Sequence, residues 1–595
     1  MKKRYRLMAG LFLWITILWA SQVTAMGVRS DEPVFKEAEA DYDISWRDDV
    51  IIPAHDGALI AANVFVPKTD NPYERFPLII MPSSWDMEEH EYYAQGAKFC
   101  QKGYIVLSYS PRGFGISTGL VNVGGPDDMK DISSVISYGI ANYPVDGVVK
   151  DNSGNVLNDA KAKVGIMGVS YGGGFSLLGA AHDQRVKAAM GMVPWGDLVN
   201  SLYLNQTTKY VWHWLILLET GDLIGNLDPQ VRELTELLFA HDHPANYDYI
   251  VNWALDRSPI NYLDQLNYTD DGKPRDIAIA ISTNLQDEMF PPNATLNFFY
   301  SLKTPKKRMD LNRGIHASAE MTGLVGMENV VWRKAHAWMD EHLKGIDTGI
   351  MDLKPMSISN KDNGDRVYTD HIYLKDLNLS HLEGIYNPAD NVNTLVPEKF
   401  YLGARPDGRI YGKLGSSPMP SSLTNRIVTG DNSGIGTGIP ALSSILEAHT
   451  NFLHVVTPFA LASKTKAIVY ASEPSKSERL IVGTPHLKLN ITCNKPTYQL
   501  VAHLYKLDAL GNGTLISHAP LTILEDGKFI PNAKVGQKLT IEFNLITTCS
   551  TLKKGERIAL AIDAQDPNYG TAPDKDYELT FSYNADAVLS IPFSN

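Results

Sequence analysis

Apolar and polar positions change rhythm twice along the chain. In the first part, short runs apolar on both faces recur at Phe76 to Met81, Tyr104 to Tyr109, Val164 to Met167 and Val186 to Val193. Between them lie stretches with helical spacing, such as Glu88 to Lys102 and Met129 to Ala141. Strands without a polar face must be covered on both sides, so this alternation predicts a mainly parallel sheet between helices. An Asp56-Gly57 pair between two strand-like runs predicts a hairpin ahead of that sheet. From Asp197 to about Leu266 the spacing turns helical and irregular, with Tyr203, Tyr210, Trp212, Trp214, Tyr247, Tyr249 and Trp253. Such an insertion between strands predicts a helical cap above the sheet. Strand patterns resume at Asp276 to Ser282 and Lys307 to Leu311, before a helix from Glu328 to Lys344 whose apolar face carries Val331, Trp332, Ala335, Trp338, Met339 and Leu343. From about Leu353 short alternating strands separated by Gly, Pro, Asn and Asp predict an antiparallel sandwich or jelly roll. The expected organisation is a signal segment over 1–25, a core over 26–196 and 271–352, a cap over 197–270, and a β-domain over 353–595. Ser416 to about Leu442, rich in Ser, Gly and Pro, is expected to be a long connection within it.

Composition adds constraints rather than a fold. The chain has 595 residues, 44% hydrophobic and 20% charged, which suits a globular enzyme of more than one domain. The net charge is −13, and the first 25 residues hold Lys2, Lys3, Arg4 and Arg6 without an acid, so the remainder is more acidic still. An acidic chain without a basic block repels phosphate, which argues against nucleic acid as a partner. Lys2 to Arg6, the apolar Leu7 to Trp19 and the small residues Val23-Thr-Ala25 have the order of an export signal cleaved after Ala25. Its apolar run falls short of the roughly 20 residues that span a bilayer. The expectation is a periplasmic or secreted protein without stable membrane insertion. Export permits disulfides, and of Cys100, Cys493 and Cys549 the last two, both in the β-rich part, are the candidates for one. No CxxC or HExxH spacing occurs, so neither a metal nor a cofactor is expected.

The chemistry gathers at Gly168-Val-Ser170-Tyr-Gly172, which fits G-x-S-x-G. A strand that turns sharply into a helix crowds its neighbours, so small residues must flank a serine held in strained backbone. The apolar run before Ser170 and the small, apolar Gly173 to Ala181 after it fit that turn. A serine hydroxyl needs a base to take its proton, and the base needs an acid to hold its tautomer. In elbow enzymes these follow in the order Ser, Asp/Glu, His, each beyond the end of a later strand. Asp287 and His316 meet both conditions, with Glu288 the alternative acid. The earlier histidines violate the order, and His336 and His342 fall inside a helix.

With these residues in hand, the chain resembles the CocE/NonD serine hydrolases, the family of cocaine esterase, α-amino-acid ester hydrolases and S15 X-Pro dipeptidyl-peptidases. The matching stretches are Asp56-Gly57, Ser110-Pro-Arg112-Gly-Phe-Gly115-Ile-Ser-Thr-Gly119, Gly168 to Gly173, Gly314-Ile-His316, Trp338 to Asp347, Tyr470 to Pro474 and Gly483 to Leu487. The resemblance implies an α/β-hydrolase core with a helical cap, followed by a C-terminal β-sandwich (jelly-roll, galactose-binding-like) domain. It implies Ser170, Asp287 and His316 as the triad and small esters, amides or short peptides as substrates. Two positions depart from the family. Its oxyanion tyrosine is replaced by Trp85, so the expected donors are the Tyr171 N–H and either the indole or backbone N–H of Trp85. Where α-amino-acid ester hydrolases carry acids that grip an ammonium, this chain has Met289 and Phe290. Apolar residues give a desolvated ammonium no counter-charge. The expectation is therefore a serine hydrolase acting through an acyl-enzyme. An X-Pro dipeptidyl-peptidase is the narrower alternative, and an inert carbohydrate-binding or adhesion protein is the alternative from another class.

Overall fold

The computed structural model describes residues 32–209, 225–240, 247–375, 380–382, 395–430, 433–438, 443, 454–525, 533–572 and 574–594. The expected signal segment 1–25 and Tyr210, Trp212 and Trp214 of the cap lie outside these residues. Ten strands form the first sheet: β1 (Ile44–Pro53), β2 (Leu59–Pro67), β3 (Leu78–Pro82), β4 (Ile105–Tyr109), β5 (Val164–Val169), β6 (Val186–Met192), β7 (Ala278–Asn284), β8 (Lys307–Asn312), β9 (Met356–Ser359) and β10 (Arg366–Thr369). Their order is β1-β2-β4-β3-β5-β6-β7-β8-β9-β10. From β4 to β9 all neighbours run parallel, with antiparallel pairs at both edges. The helices α1 (Tyr93–Gln101), α2 (Pro126–Asn142), α3 (Tyr171–His182) and α4 (Val330–Met339) connect the strands. β3, β4 and β5 are buried along their whole length, as strands covered by helices on both faces must be. The last two strands, β9 and β10, extend the sheet beyond residue 352, where the change of pattern had placed the end of the core. At four residues each, they are too short for alternation to separate them from the sandwich strands that follow.

The segment leaving β6 forms short helices at Leu198–Leu202, Pro229–Ala240, Tyr247–Leu255 and Leu263–Asn267 before the chain returns to β7. The C-terminal part builds a twelve-stranded, mostly antiparallel sheet from Glu398–Gly403 to Val588–Ile591, around a core that includes Leu487, Leu500, Leu504, Phe543 and Leu560. It is joined to the first part by buried polar contacts. Asn293 Nδ2 donates to the Leu545 carbonyl and its Oδ1 accepts from the Thr547 N–H, both at 2.8 Å, while the Gly570 N–H donates to the Thr208 carbonyl at 2.9 Å. His371 to Leu374, at the start of the β-rich part, forms no strand and contributes an isolated bridge from Tyr373 to Gly483.

The candidate disulfide is not formed: Cys100, Cys493 and Cys549 are all free and buried. Cys493 packs into the core of the second sheet, whereas Cys549 packs with the core of the first, so the two face different apolar clusters. Burial pushes their thiols up to about 11 and about 12 respectively, which leaves both protonated and unreactive at neutral pH. No helix among the described residues is long and apolar enough to cross a membrane.

Candidate active site

The turn from β5 into α3 has the strain its sequence calls for. Ser170 sits at φ +57° and ψ −115°, a backbone region an L-residue occupies only when its surroundings impose it. Its N–H donates to the Met192 carbonyl at 2.8 Å, which anchors the turn to β6. The flanking glycines are there for space. A Cβ on Gly172 would lie 2.0 Å from the Pro82 carbonyl oxygen, and one on Gly173 would lie 2.4 Å from that of Met192. Between Pro82 and Met192, only glycine lets the start of α3 approach the strand ends this closely.

The structure brings the three expected side chains into one hydrogen-bonded series. Ser170 Oγ lies 2.6 Å from His316 Nε2, and His316 Nδ1 lies 2.7 Å from Asp287 Oδ2. Asp287 is 1% exposed. Its second oxygen accepts the N–H groups of Met289 and Phe290, each at 2.9 Å, so the carboxylate closes its own turn with one oxygen and presents the other to the histidine. The loops after β7 and β8 are stitched together. Gln286 N–H donates to the Gly314 carbonyl, and Gly314 N–H donates back to Gln286 Oε1, both at 2.9 Å. This pairing fixes the spacing between Asp287 and His316. Glu288, the alternative acid, faces the other way and accepts from Asn568 Nδ2 of the β-domain at 3.1 Å.

Aromatic rings surround the series. Phe290 meets the His316 ring edge-on at 5.1 Å, and Trp195 packs against Phe290 at 5.4 Å. The half-buried Trp85 follows β3, with its ring edge-on to Phe114 at 5.0 Å and to Tyr171 at 5.1 Å. Asp86 beside it has φ +63°, a strained position in the same loop. The Arg112 of the Ser110–Gly119 motif stands apart from this chemistry. It makes a two-point contact with Asp131, 2.7 Å at each nitrogen, and reaches Asp56 at 3.1 Å, which ties the early hairpin to α2.

Three ionisable residues near the site had escaped the sequence reasoning. Lys209 is buried with its Nζ donating to the Ser201 carbonyl at 2.6 Å and the Met289 carbonyl at 3.2 Å. Burial pushes it down to about 7, against the pull of Asp287 and Glu288. Glu320 lies under the histidine loop and accepts from Ser282 Oγ and Asn284 Nδ2, each at 3.0 Å; burial raises it to about 7. Glu91 lies under the Trp85 loop, and burial likewise raises it to about 7. Each is a lone polar residue in sequence, without a motif to mark it. Among the described residues, the exposed Asp48–Asp49–His90 and the exposed His55 and Asp56 with the buried Asp131 have ligand atoms close enough to share a cation, but neither group belongs to the site.

The arrangement can transfer a proton from a serine hydroxyl to an imidazole held by a buried carboxylate, the requirement for acyl transfer. Residues 56–318 match the X-Pro dipeptidyl-peptidase (S15 family), and residues 429–589 match the X-Pro dipeptidyl-peptidase C-terminal non-catalytic domain. No curated protein matches the sequence. Among solved structures, the chain is similar to an α-amino acid ester hydrolase, at 15% identity and a TM-score of 0.67 over 96% of this chain and 99% of that one. An aminopeptidase from a marine sediment Thaumarchaeota archaeon aligns at 14% identity and a TM-score of 0.66, with 96% and 99% covered. A CocE/NonD family hydrolase from Staphylococcus aureus aligns at 14% identity and a TM-score of 0.64, with 96% and 97% covered. At such identities the structural matches speak for the fold, while the two sequence matches span most of the chain and include both the core and the β-domain. With its core and its β-domain both matched by the models of that family, the chain belongs to the S15 family, and it is a serine hydrolase that acts on ester or amide bonds.

Proposed function

We propose that Ser170 attacks the scissile carbonyl, that His316 takes its proton and later returns it to the leaving group, and that Asp287 holds the imidazole and stabilises its charge. The observation that carries this is the unbroken Ser170–His316–Asp287 series at a strained elbow. The acyl-enzyme so formed is then hydrolysed by water that His316 activates. The preferred substrates are small carboxylic esters or amides whose acyl part lacks a free amine. Supporting this, the Phe290 ring lies edge-on to His316 with Trp195 packed behind it, Glu288 is engaged by Asn568, and the buried group that the cap brings to the Met289 carbonyl is the Lys209 amine rather than an acid. A second reading, X-Pro dipeptidyl-peptidase, is favoured by the family matches over both parts of the chain. A panel of p-nitrophenyl esters beside Gly-Pro and Ala-Pro anilides separates them. The ester reading expects turnover of the esters and little of the anilides; rapid anilide cleavage at the expense of ester would overturn it. The basic, apolar and small-residue order of residues 1–25 also supports export with cleavage after Ala25, which the mass of the mature chain checks.

The developing oxyanion needs donors already in place. The proposed pair is the Tyr171 N–H and a donor from Trp85, whose loop follows β3 and whose ring touches that of Tyr171. Trp85→Phe keeps the bulk and removes the indole N–H. If the indole donates, turnover should fall by about 10²–10³-fold with KM little changed. Turnover within a few-fold of the parent would instead assign the role to the Trp85 backbone N–H.

A further inference from the structure

Ser84 and Val169 each stand immediately before one of the two proposed oxyanion donors' segments, Ser84 before Trp85 and Val169 before Ser170-Tyr171. Both are held by consecutive residues of a single helical turn (Glu89–Tyr92). Glu91 Oε2 accepts the Ser84 N–H at 2.7 Å, and Glu91 Oε1 lies 2.6 Å from Ser84 Oγ. The Tyr92 hydroxyl accepts the Val169 N–H at 2.8 Å, and Ser84 Oγ lies 2.9 Å from the Val169 carbonyl. One turn thus grips both halves of the hole, and Ser84 ties them to each other.

We propose that Glu91 is a positioning residue that sets the distance between the two oxyanion donors, and that it does so as a neutral carboxylic acid. This rests on the reading of Ser170 as nucleophile. The proton count carries the second half. Ser84 has one hydroxyl proton and two acceptors within reach, Glu91 Oε1 and the buried Val169 carbonyl. With Glu91 ionised, the proton goes to the carboxylate and the hydroxyl tie to Val169 is lost. With Oε1 protonated, Glu91 donates to Ser84 Oγ, Ser84 donates to the Val169 carbonyl, and Oε2 still accepts the Ser84 N–H. The Ser84 hydroxyl, the Ser84 N–H and the Val169 carbonyl are then all satisfied, as buried polar atoms require. Burial raises the Glu91 carboxyl to about 7, in keeping with a proton held there. The titratable group facing it is the Tyr92 hydroxyl, itself held well above its ordinary range by burial; the hydrogen bonds from Ser84 and Tyr92 favour the ionised carboxylate, burial outweighs them, and no neighbouring cation among the described residues adds to them.

Glutamine at 91 reproduces the protonated pattern, with its NH₂ toward Ser84 Oγ and its carbonyl toward the Ser84 N–H; leucine removes both contacts. Glu91→Leu should lower kcat by about 10- to 10²-fold, as a misplacement of about 1 Å at a reacting centre does, with KM within a few-fold. Glu91→Gln should recover most of that loss, and its kcat should hold at alkaline pH where the parent's declines. Titration with a fluorophosphonate counts competent sites in each variant, with the Ser170→Ala protein as control. The inference stands if the labelled fraction is unchanged and kcat per labelled site falls in Glu91→Leu. It is overturned if Glu91→Leu keeps parental turnover, if Glu91→Gln is as impaired as Glu91→Leu, or if the labelled fraction falls while kcat per site does not. Label found on a residue other than Ser170 in the parent would instead refute the underlying assignment of the nucleophile.

Discussion

Ser170→Ala is expected to lower turnover by about 10⁶-fold, the cost of losing the nucleophile where the rest of a serine hydrolase site survives. The side chain lost is a single hydroxyl whose partner is His316 Nε2 at 2.6 Å, while the backbone that shapes the elbow is held by other groups. The Met192 carbonyl accepts the residue-170 N–H, and the carbonyl of residue 170 accepts the Gly174 N–H at 3.0 Å as α3 begins. Alanine retains both contacts, so the thermal midpoint should stay within a few degrees of the parent. A fluorophosphonate should label the parent on Ser170 and leave the variant unlabelled. Labelling that persists in the variant, or a midpoint that collapses, would move the nucleophile elsewhere or reveal a structural role in its place.

The elbow was legible because steric necessity fixes its composition. No residue but glycine fits 2.0 Å from the Pro82 carbonyl, so the spacing of Gly168, Ser170 and Gly172 carries geometry directly. Asp287 and His316 were legible for a related reason. Apolar runs mark the strands, and the residues just past the strand ends of a parallel sheet gather on one edge. What escaped depends on tertiary contact alone. β9 belongs to the first sheet through its pairing with β8, and β10 through its pairing with β9, which a four-residue run does not announce. Cys493 and Cys549 lie in the same β-rich stretch, but the strand Thr548–Leu552 packs its cysteine with the core of the first sheet rather than that of the second. Glu91, Lys209 and Glu320 take their significance from burial and from backbone atoms far away in sequence. Any sequence pattern would count them as ordinary surface residues, the usual place for charged side chains.

The second large effect concerns the acid. Asp287 has two oxygens with separate duties: Oδ1 accepts the Met289 and Phe290 N–H groups, and Oδ2 receives the His316 Nδ1 proton. In Asp287→Asn the carbonyl oxygen stays with the two N–H groups, since an NH₂ there would face two donors. The NH₂ is then forced toward His316 Nδ1, which must accept from it, and the ring proton moves to Nε2. That nitrogen can no longer take the Ser170 proton. Turnover should fall by about 10⁴-fold, the loss found where a triad aspartate becomes asparagine, while the turn and the fold persist. Glu288→Gln is the matched control. Its carboxylate is turned to Asn568 and away from His316, and one hydrogen bond to a neutral group contributes about 1 kcal/mol. Its loss of turnover should therefore stay below about tenfold. Measured side by side on one p-nitrophenyl ester, the two variants decide the assignment: a crippled Glu288→Gln beside an active Asp287→Asn would hand the acid's role to Glu288.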